Sequence, residues 1–273
     1  MERSQKRILI IIIYAIVFIA FSVFVYWKIK PEETCSDSIK NQNEEDVDCG
    51  GVCAACKKIE ALPLEIKESG VVAGGIAGEY DFYGLVNNPN NLFGSSKLHY
   101  KIILKDSSGA VLLQREGDNY ILPGEKKYIV ETGFKSDSMP ASSEFSITSV
   151  EWSQFGEYKK PELEIVNKNY SEITSGVGFA EARGLLKNRS PYDFEFIKIG
   201  VVLKDVENKV VALNSTSMRT VKSGEERDFR VFWPTRFSGN VQNMEAQVEA
   251  NVFDSRTFMD RNYQTHKFQE YLQ

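Results

Sequence analysis

The sequence predicts a mainly β protein: two tandem antiparallel β-sandwiches, preceded by one N-terminal transmembrane helix and a small cysteine-rich segment. Three observations carry this expectation. An uncharged apolar run, Ile8 to Trp27, stands near the start of the 273 residues. All four cysteines fall between Cys35 and Cys56. The rest of the chain consists of short stretches that alternate at period two, and their landmarks occur twice, roughly 100 residues apart.

The run ILIIIIYAIVFIAFSVFVYW contains no charge and no proline. At about 1.5 Å rise per residue it spans roughly 30 Å, the hydrocarbon thickness of a bilayer. A helix satisfies its own backbone groups, as lipid requires. Tyr26 and Trp27 end the run, where amphipathic rings favour the headgroup layer. Arg3, Lys6 and Arg7 precede it, whereas Lys28 and Lys30 are followed at once by Glu32 and Glu33. The positive-inside bias therefore predicts residues 1–7 in the cytoplasm, a single span over 8–27 and the bulk outside the cell membrane. A cleaved signal peptide would have a shorter apolar region ending in a small-x-small site. Ala20-Phe21-Ser22 is the near match, and it lies inside the run.

The chain carries 33 basic and 38 acidic residues, for a net charge of −5, with no basic block. Nucleic-acid binding has no electrostatic support. Two histidines, His99 and His266, lie far apart in sequence, which thins the enzyme classes that depend on histidine. No phosphate loop, nucleophile elbow or HExxH occurs. The expected chain is not an enzyme.

Residues 34–56 read TCSDSIKNQNEEDVDCGGVCAAC, with the spacing C-x13-C-x3-C-x2-C. An even set of clustered cysteines outside the cytosol predicts disulfides among Cys35, Cys49, Cys53 and Cys56. Four cysteines allow three pairings, and the spacing does not choose. Asp37, Asn41, Asn43, Glu44, Asp46 and Asp48 are dense hard-oxygen donors, the chemistry that calcium takes. A calcium site and an ion-free, disulfide-stapled acidic spacer both fit. Four-cysteine zinc fits less well, because Cys35 and Cys49 make no knuckle. A Cys53-x-x-Cys56 redox pair lacks a following βαβ pattern.

This segment resembles the CxDGxxNxxExxxDCGGxCxxC motif found beside anchors in bacterial secreted proteins. Cys35, Asp37, Asn41, Glu44, Asp48, Cys49, Gly50, Gly51, Cys53 and Cys56 match, and Ser38 replaces the motif's glycine. The resemblance covers these residues alone.

The repeat is read from four landmarks. Leu64-Glu65-Ile66 recurs as Leu163-Glu164-Ile165, and Gly84 to Asn88 as Gly184 to Asn188. Leu104-Lys105-Asp106 recurs as Leu203-Lys204-Asp205, and Gly124-Glu125 as Gly224-Glu225. Between them alternate Tyr80, Phe82, Gly84 and Val86; Leu98, Tyr100, Ile102 and Leu104; Ala180, Ala182, Gly184 and Leu186; and Ile197, Ile199, Val201 and Leu203. A phase break after Phe194 and Phe196 predicts a bulge. Tyr128 and Val130 match Phe229 and Val231, and Thr148, Val150 and Trp152 match Val248, Ala250 and Val252. Turns such as Asn87-Asn88-Pro89-Asn90-Asn91 and Leu122-Pro123-Gly124-Glu125 separate the strands.

The reading gives sandwiches over 61–157 and 161–255 that fold independently, with a polar tail over 256–273. Asp106 and Asp205 are expected to close turns on their own backbone. Gly84 and Gly184 are expected to mark close packing or a bulge. Asn169, Asn188 and Asn214 begin glycosylation triplets by pattern.

The repeated pattern is similar to the FxLYD family of extracytoplasmic Ig-like modules. Gly84, Asn88, Leu104, Asp106, Pro123, Gly124 and Glu125 fit it, as do Gly184, Asn188, Leu203, Asp205, Gly224 and Glu225. Ser223 stands in place of the proline, and Lys105 and Lys204 stand where an aromatic is commoner. The resemblance implies an Ig-like fold and an extracytoplasmic location, and it supplies no catalytic residues. The expected role is a non-catalytic binding or structural module facing an envelope protein or polysaccharide. The alternative is a carbohydrate-active or other hydrolase whose carboxylates converge only in the fold.

Overall fold

The computed structural model describes residues 3–29, 35–36, 40–41, 43–56, 60–155, 158–256 and 258–259. It divides into two compact units, 1–60 and 61–273.

The first unit begins with helix α1, Arg3–Ile29. Its stretch Ile10–Lys28 is long and apolar enough to cross a membrane, and none of that stretch is buried against protein. Lys28 lies in the last turn, where a cation complements the helix dipole.

The second unit is built from twelve strands. They are β1 (Glu65–Ala73), β2 (Glu79–Asn87), β3 (Phe93–Lys105), β4 (Val111–Ile121), β5 (Lys126–Lys135) and β6 (Ser142–Gln154). These are followed by β7 (Leu163–Glu172), β8 (Ala180–Asn188), β9 (Phe194–Lys204), β10 (Val210–Val221), β11 (Glu226–Trp233) and β12 (Asn243–Glu249). All pairings are antiparallel, in four sheets ordered β1-β2-β5, β4-β3-β6, β11-β8-β7 and β10-β9-β12. Six strands on, the same order returns. In Ig lettering each half packs A-B-E against C′-C-F, and no described strand occupies the G position.

Each half has its own core between its two sheets. Phe82, Val86, Leu98, Tyr100, Ile102, Leu104, Ile121, Ile129 and Phe134 fill the first. Ala182, Leu186, Ile197, Ile199, Val201, Leu203, Phe229 and Val231 stand in the second. A Cβ on Gly84 would lie 2.6 Å from the Phe145 ring of the opposite sheet, so close sheet packing explains that glycine. Gly184 receives the Phe229 ring of the neighbouring strand instead.

Four sequence expectations shift. Tyr128 and Val130 do not point into the core as Phe229 and Val231 do; Ile129 does, paired with Gly84 as Phe229 is paired with Gly184. Strand β5 is buried on both faces, so alternation could not give its phase. In β6 the extra residue is Thr148, since His99 pairs with Ser149 and Tyr100 with Ile147. In β9 the burial phase breaks as expected, but its pairing with β10 carries no shift there. Phe196 turns outward and is 52% exposed, while the facing β10 strand has Thr220 at φ +53. Phe258, read as part of a polar tail, is buried against Tyr192.

The two halves are not separate beads. The outer face of β1-β2-β5 packs on the outer face of β10-β9-β12. Val72, Leu85 and Tyr128 meet Val202, Val210 and Leu213 in one buried cluster, and Tyr128 N donates to Gln247 Oε1 at 2.9 Å. Leu122, Phe155, Val252 and Phe258 form a second buried cluster beside the 3-10 turn Val252–Asp254.

Candidate functional site

In the cysteine segment the pairing is Cys35–Cys53 and Cys49–Cys56. Between them the chain doubles back, with Cys49 N donating to Asp46 O and Glu45 N to Cys49 O. Asp48 supplies φ +59 in this turn, a conformation that Asp tolerates better than most residues. Gly51 sits at φ +59 with the Asn43 carbonyl oxygen 2.2 Å from where its Cβ would be, so glycine alone fits.

Of the six predicted oxygen donors, Asp37 lies outside the described residues. Glu44 is buried, and its Oε2 accepts from Asn41 N at 3.1 Å. Asp46 is exposed, and its Oδ1 accepts from Val47 N at 2.8 Å. Asn43 is exposed and Asp48 half-buried. Among the described residues no three His, Cys, Asp or Glu side chains converge to hold a metal ion. The loop's own amides occupy Glu44 and Asp46. An acidic residue near cysteines serves a calcium ion or a folded loop equally well on paper, which is why composition alone pointed to both.

A different cluster lies where the two halves meet. Lys127 on β5 is fully buried. Its Nζ donates to Asn119 Oδ1 at 2.9 Å and sits 3.4 Å from the centre of the Tyr120 ring. Burial pushes its pKa down, and the carboxylates of Glu125 and Glu249 oppose that shift. Glu249 ends β12 with its side chain 7% exposed, 3.9 Å from Lys127 Nζ and 3.9 Å from Lys198 Nζ. Tyr120, from the end of β4, has a buried hydroxyl with no hydrogen-bond partner among the described residues; burial raises its pKa, and the nearby carboxylates add to that.

These groups back a hollow of about 360 Å³. Asp118, Asn119 and Tyr120 wall one side, and Phe196, Lys198 and Glu249 the other. Asp118 pairs with His99 of β3. The His99 ring is half-buried there. Sequence reading did not find this hollow, because its walls come from segments distant in sequence, Asp118 to Tyr120 on one side and Phe196, Lys198 and Glu249 on the other. The one local signal was the break in phase at Phe196. A second hollow, about 420 Å³, has Gln247 of β12, Ile165 of β7 and Tyr128 of β5 in its walls.

The repeated turn residues are structural. Asn88 Nδ2 donates to Phe93 O and Leu122 O, and Asn188 Nδ2 donates to Tyr192 O and Lys222 O. Asn188 is buried and so is no accessible glycosylation site. Asp106 Oδ1 accepts from Ser108 N and Ala110 N, and Asp205 Oδ1 from Glu207 N and Lys209 N.

No protein-family model matches this sequence, and no curated protein matches it. Among solved structures, the chain is similar to a crystal structure of red sea bream transglutaminase at 12% identity and TM-score 0.22, covering 71% of this chain and 30% of that one. It is also similar to the calcium binding domain CBD12 of CALX1.1 at 13% identity and TM-score 0.22, covering 63% of this chain and 75% of that one. The chain thus spans less than a third of the transglutaminase. Taken together, strand order and cores make this a mainly β protein with antiparallel sandwiches behind one apolar helix and a disulfide-bonded segment.

Proposed function

We propose that the chain is a membrane-anchored, non-catalytic binding or structural module, with its N-terminus cytoplasmic and its two-sandwich head outside. The carrying observation is the succession of a span-length apolar helix and two disulfides within the first 56 residues. Disulfides persist outside the reducing cytosol, and the basic flank Arg3, Lys6 and Arg7 agrees in direction. The cysteine segment is read as a stapled spacer, since Glu44 and Asp46 already serve the loop's amides. The halves are read as tandem copies of one extracytoplasmic module of the FxLYD type, presenting hollows and sheet edges to an envelope protein or polysaccharide.

Alkylation of protein drawn from intact cells tests the placement. The reading expects no thiol to react before reduction and four to react after it. Four reactive thiols before reduction would put the segment in the cytosol. A second reading, a hydrolase, is favoured by one observation: Asp118 and Glu249 share a hollow. Turnover of envelope polysaccharide that is lost in D118N would establish it and end the non-catalytic reading.

A further inference from the structure

We infer that the hollow between the halves is a binding site for a neutral saccharide. This rests on reading the head as a binding module. The first observation is an unmet acceptor. Glu249 is 93% buried, yet its carboxylate accepts no hydrogen bond from a described residue; the two ammonium groups beside it stand off at 3.9 Å. A buried carboxylate normally has hydrogen-bonded partners. Glu249 instead opens on the hollow, where a ligand hydroxyl would supply the missing donor.

The second observation is a donor facing the same space. Asn119 Oδ1 receives both Lys127 Nζ and Tyr120 N. Both partners are donors, which fixes the orientation of the amide. The Asn119 Nδ2 group is thereby turned away from them and donates to no described residue. Lys198 Nζ is a further donor, and Asp118 a further acceptor.

Charge and shape select the ligand. Among the charged residues lining the hollow, Asp118 is paired with His99 and Glu249 stands beside both Lys127 and Lys198, so none is left over to hold an anion or a cation. Phe196, 52% exposed, offers the hollow an apolar surface. A neutral molecule with several hydroxyls and an apolar face of C–H groups meets all of these at once, and a hexopyranose is that molecule. The volume lies at the small end of ordinary ligand sites, about 300–1,000 Å³. The ligand can be a free sugar or one unit of a chain.

The test is saturation-transfer NMR and calorimetry on the full chain in lipid nanodiscs. The probes are glucose, cellobiose, maltose, lactose and N,N′-diacetylchitobiose, with glucosamine and glucuronic acid as charged comparators. At least one neutral probe is expected to bind with a dissociation constant at or below about 1 mM. Phe196→Ala, which alters an exposed side chain, and Glu249→Gln are each expected to weaken that binding at least about tenfold. Val177→Ser, at a fully exposed position elsewhere, is expected to leave it unchanged. No transfer to any neutral probe, binding indifferent to Phe196→Ala, or preference for a charged comparator would overturn the inference. Failure here leaves the alkylation result intact, so the site and the placement of the head are tested separately.

Discussion

Asn88 and Asn188 form the same clasp in both halves. Each side-chain amide donates to two backbone carbonyls, one at Phe93 or Tyr192, where the connection after its own strand leads into β3 or β9, and one in the distant turn before β5 or β11. Each backbone N–H reaches that distant turn as well, at Glu125 O or Glu225 O. The glutamates complete the clasp, with Glu125 Oε2 receiving Leu122 N and Glu225 Oε2 receiving Lys222 N. This explains why asparagine and glycine-glutamate recur together: they join the two connections that cross between sheets. Both asparagines are 1% exposed. Asn88→Ala or Asn188→Ala removes two buried side-chain hydrogen bonds, while Leu122 O and Lys222 O keep Glu125 N and Glu225 N as donors, and should destabilise the head by about 1–3 kcal/mol, read by denaturant titration. A loss under about 0.5 kcal/mol, the level of an ordinary surface change, would contradict the clasp.

At the scale of elements, a strand such as β3 was legible because one of its faces is less buried than the other. Leu98, Tyr100, Ile102 and Leu104 alternate with Lys97, His99, Lys101 and Lys105, and the phase reads directly. Strand β5 was not legible, since Lys127, Tyr128 and Ile129 are all buried. Nothing local distinguishes a lysine destined for an interface from one on a solvated face. The cysteine segment was legible as a staple, while its pairing depended on three-dimensional closure. That staple closes separations of 18 and 7 residues. In the chain-entropy model, a loop near 15 residues stabilises by about 3 kcal/mol. Reduction should therefore speed glutamate-specific proteolysis between Cys35 and Cys56 at least about tenfold while leaving the melting of the head unchanged. Calorimetry of the oxidised chain with calcium at about 1 mM, where extracellular modules bind, should show no saturable heat. Saturable heat that is lost in Asp37→Asn would restore the calcium site.

At the scale of the whole molecule, the two halves are alike in strand order and unlike on one face. Tyr83 pairs with Val130 and Leu85 with Tyr128 on the face of the first half that packs on the second. The corresponding pairs of the second half are Arg183 with Arg230 and Leu185 with Asp228. Arg183 and Arg230 there hold Glu181 in ion pairs. The halves therefore stack once, and the charged outer face of β7-β8-β11 does not offer the same contact to a further copy. Because separation would bare Val72, Leu85 and Tyr128 on one side and Val202, Val210 and Leu213 on the other, the head should unfold in a single calorimetric transition. Val202→Asp, which buries an unpaired charge in that contact, should split it into two or lower it steeply. Two transitions in the unaltered chain would show the halves to be independent, as sequence alone led one to expect. The sequence repeat could not disclose this contact: Leu85 recurs as Leu185 on the charged face, and the two faces differ at Tyr83, Tyr128 and Val130 against Arg183, Asp228 and Arg230.

The central claim is that α1 spans a membrane and that the head lies outside it. Protease added to intact cells carrying a tag at Met1 measures this directly. The account predicts that the chain after Trp27 is digested while a tagged fragment near the size of the helix survives inside. Loss of the tag with an intact, protected head would contradict it.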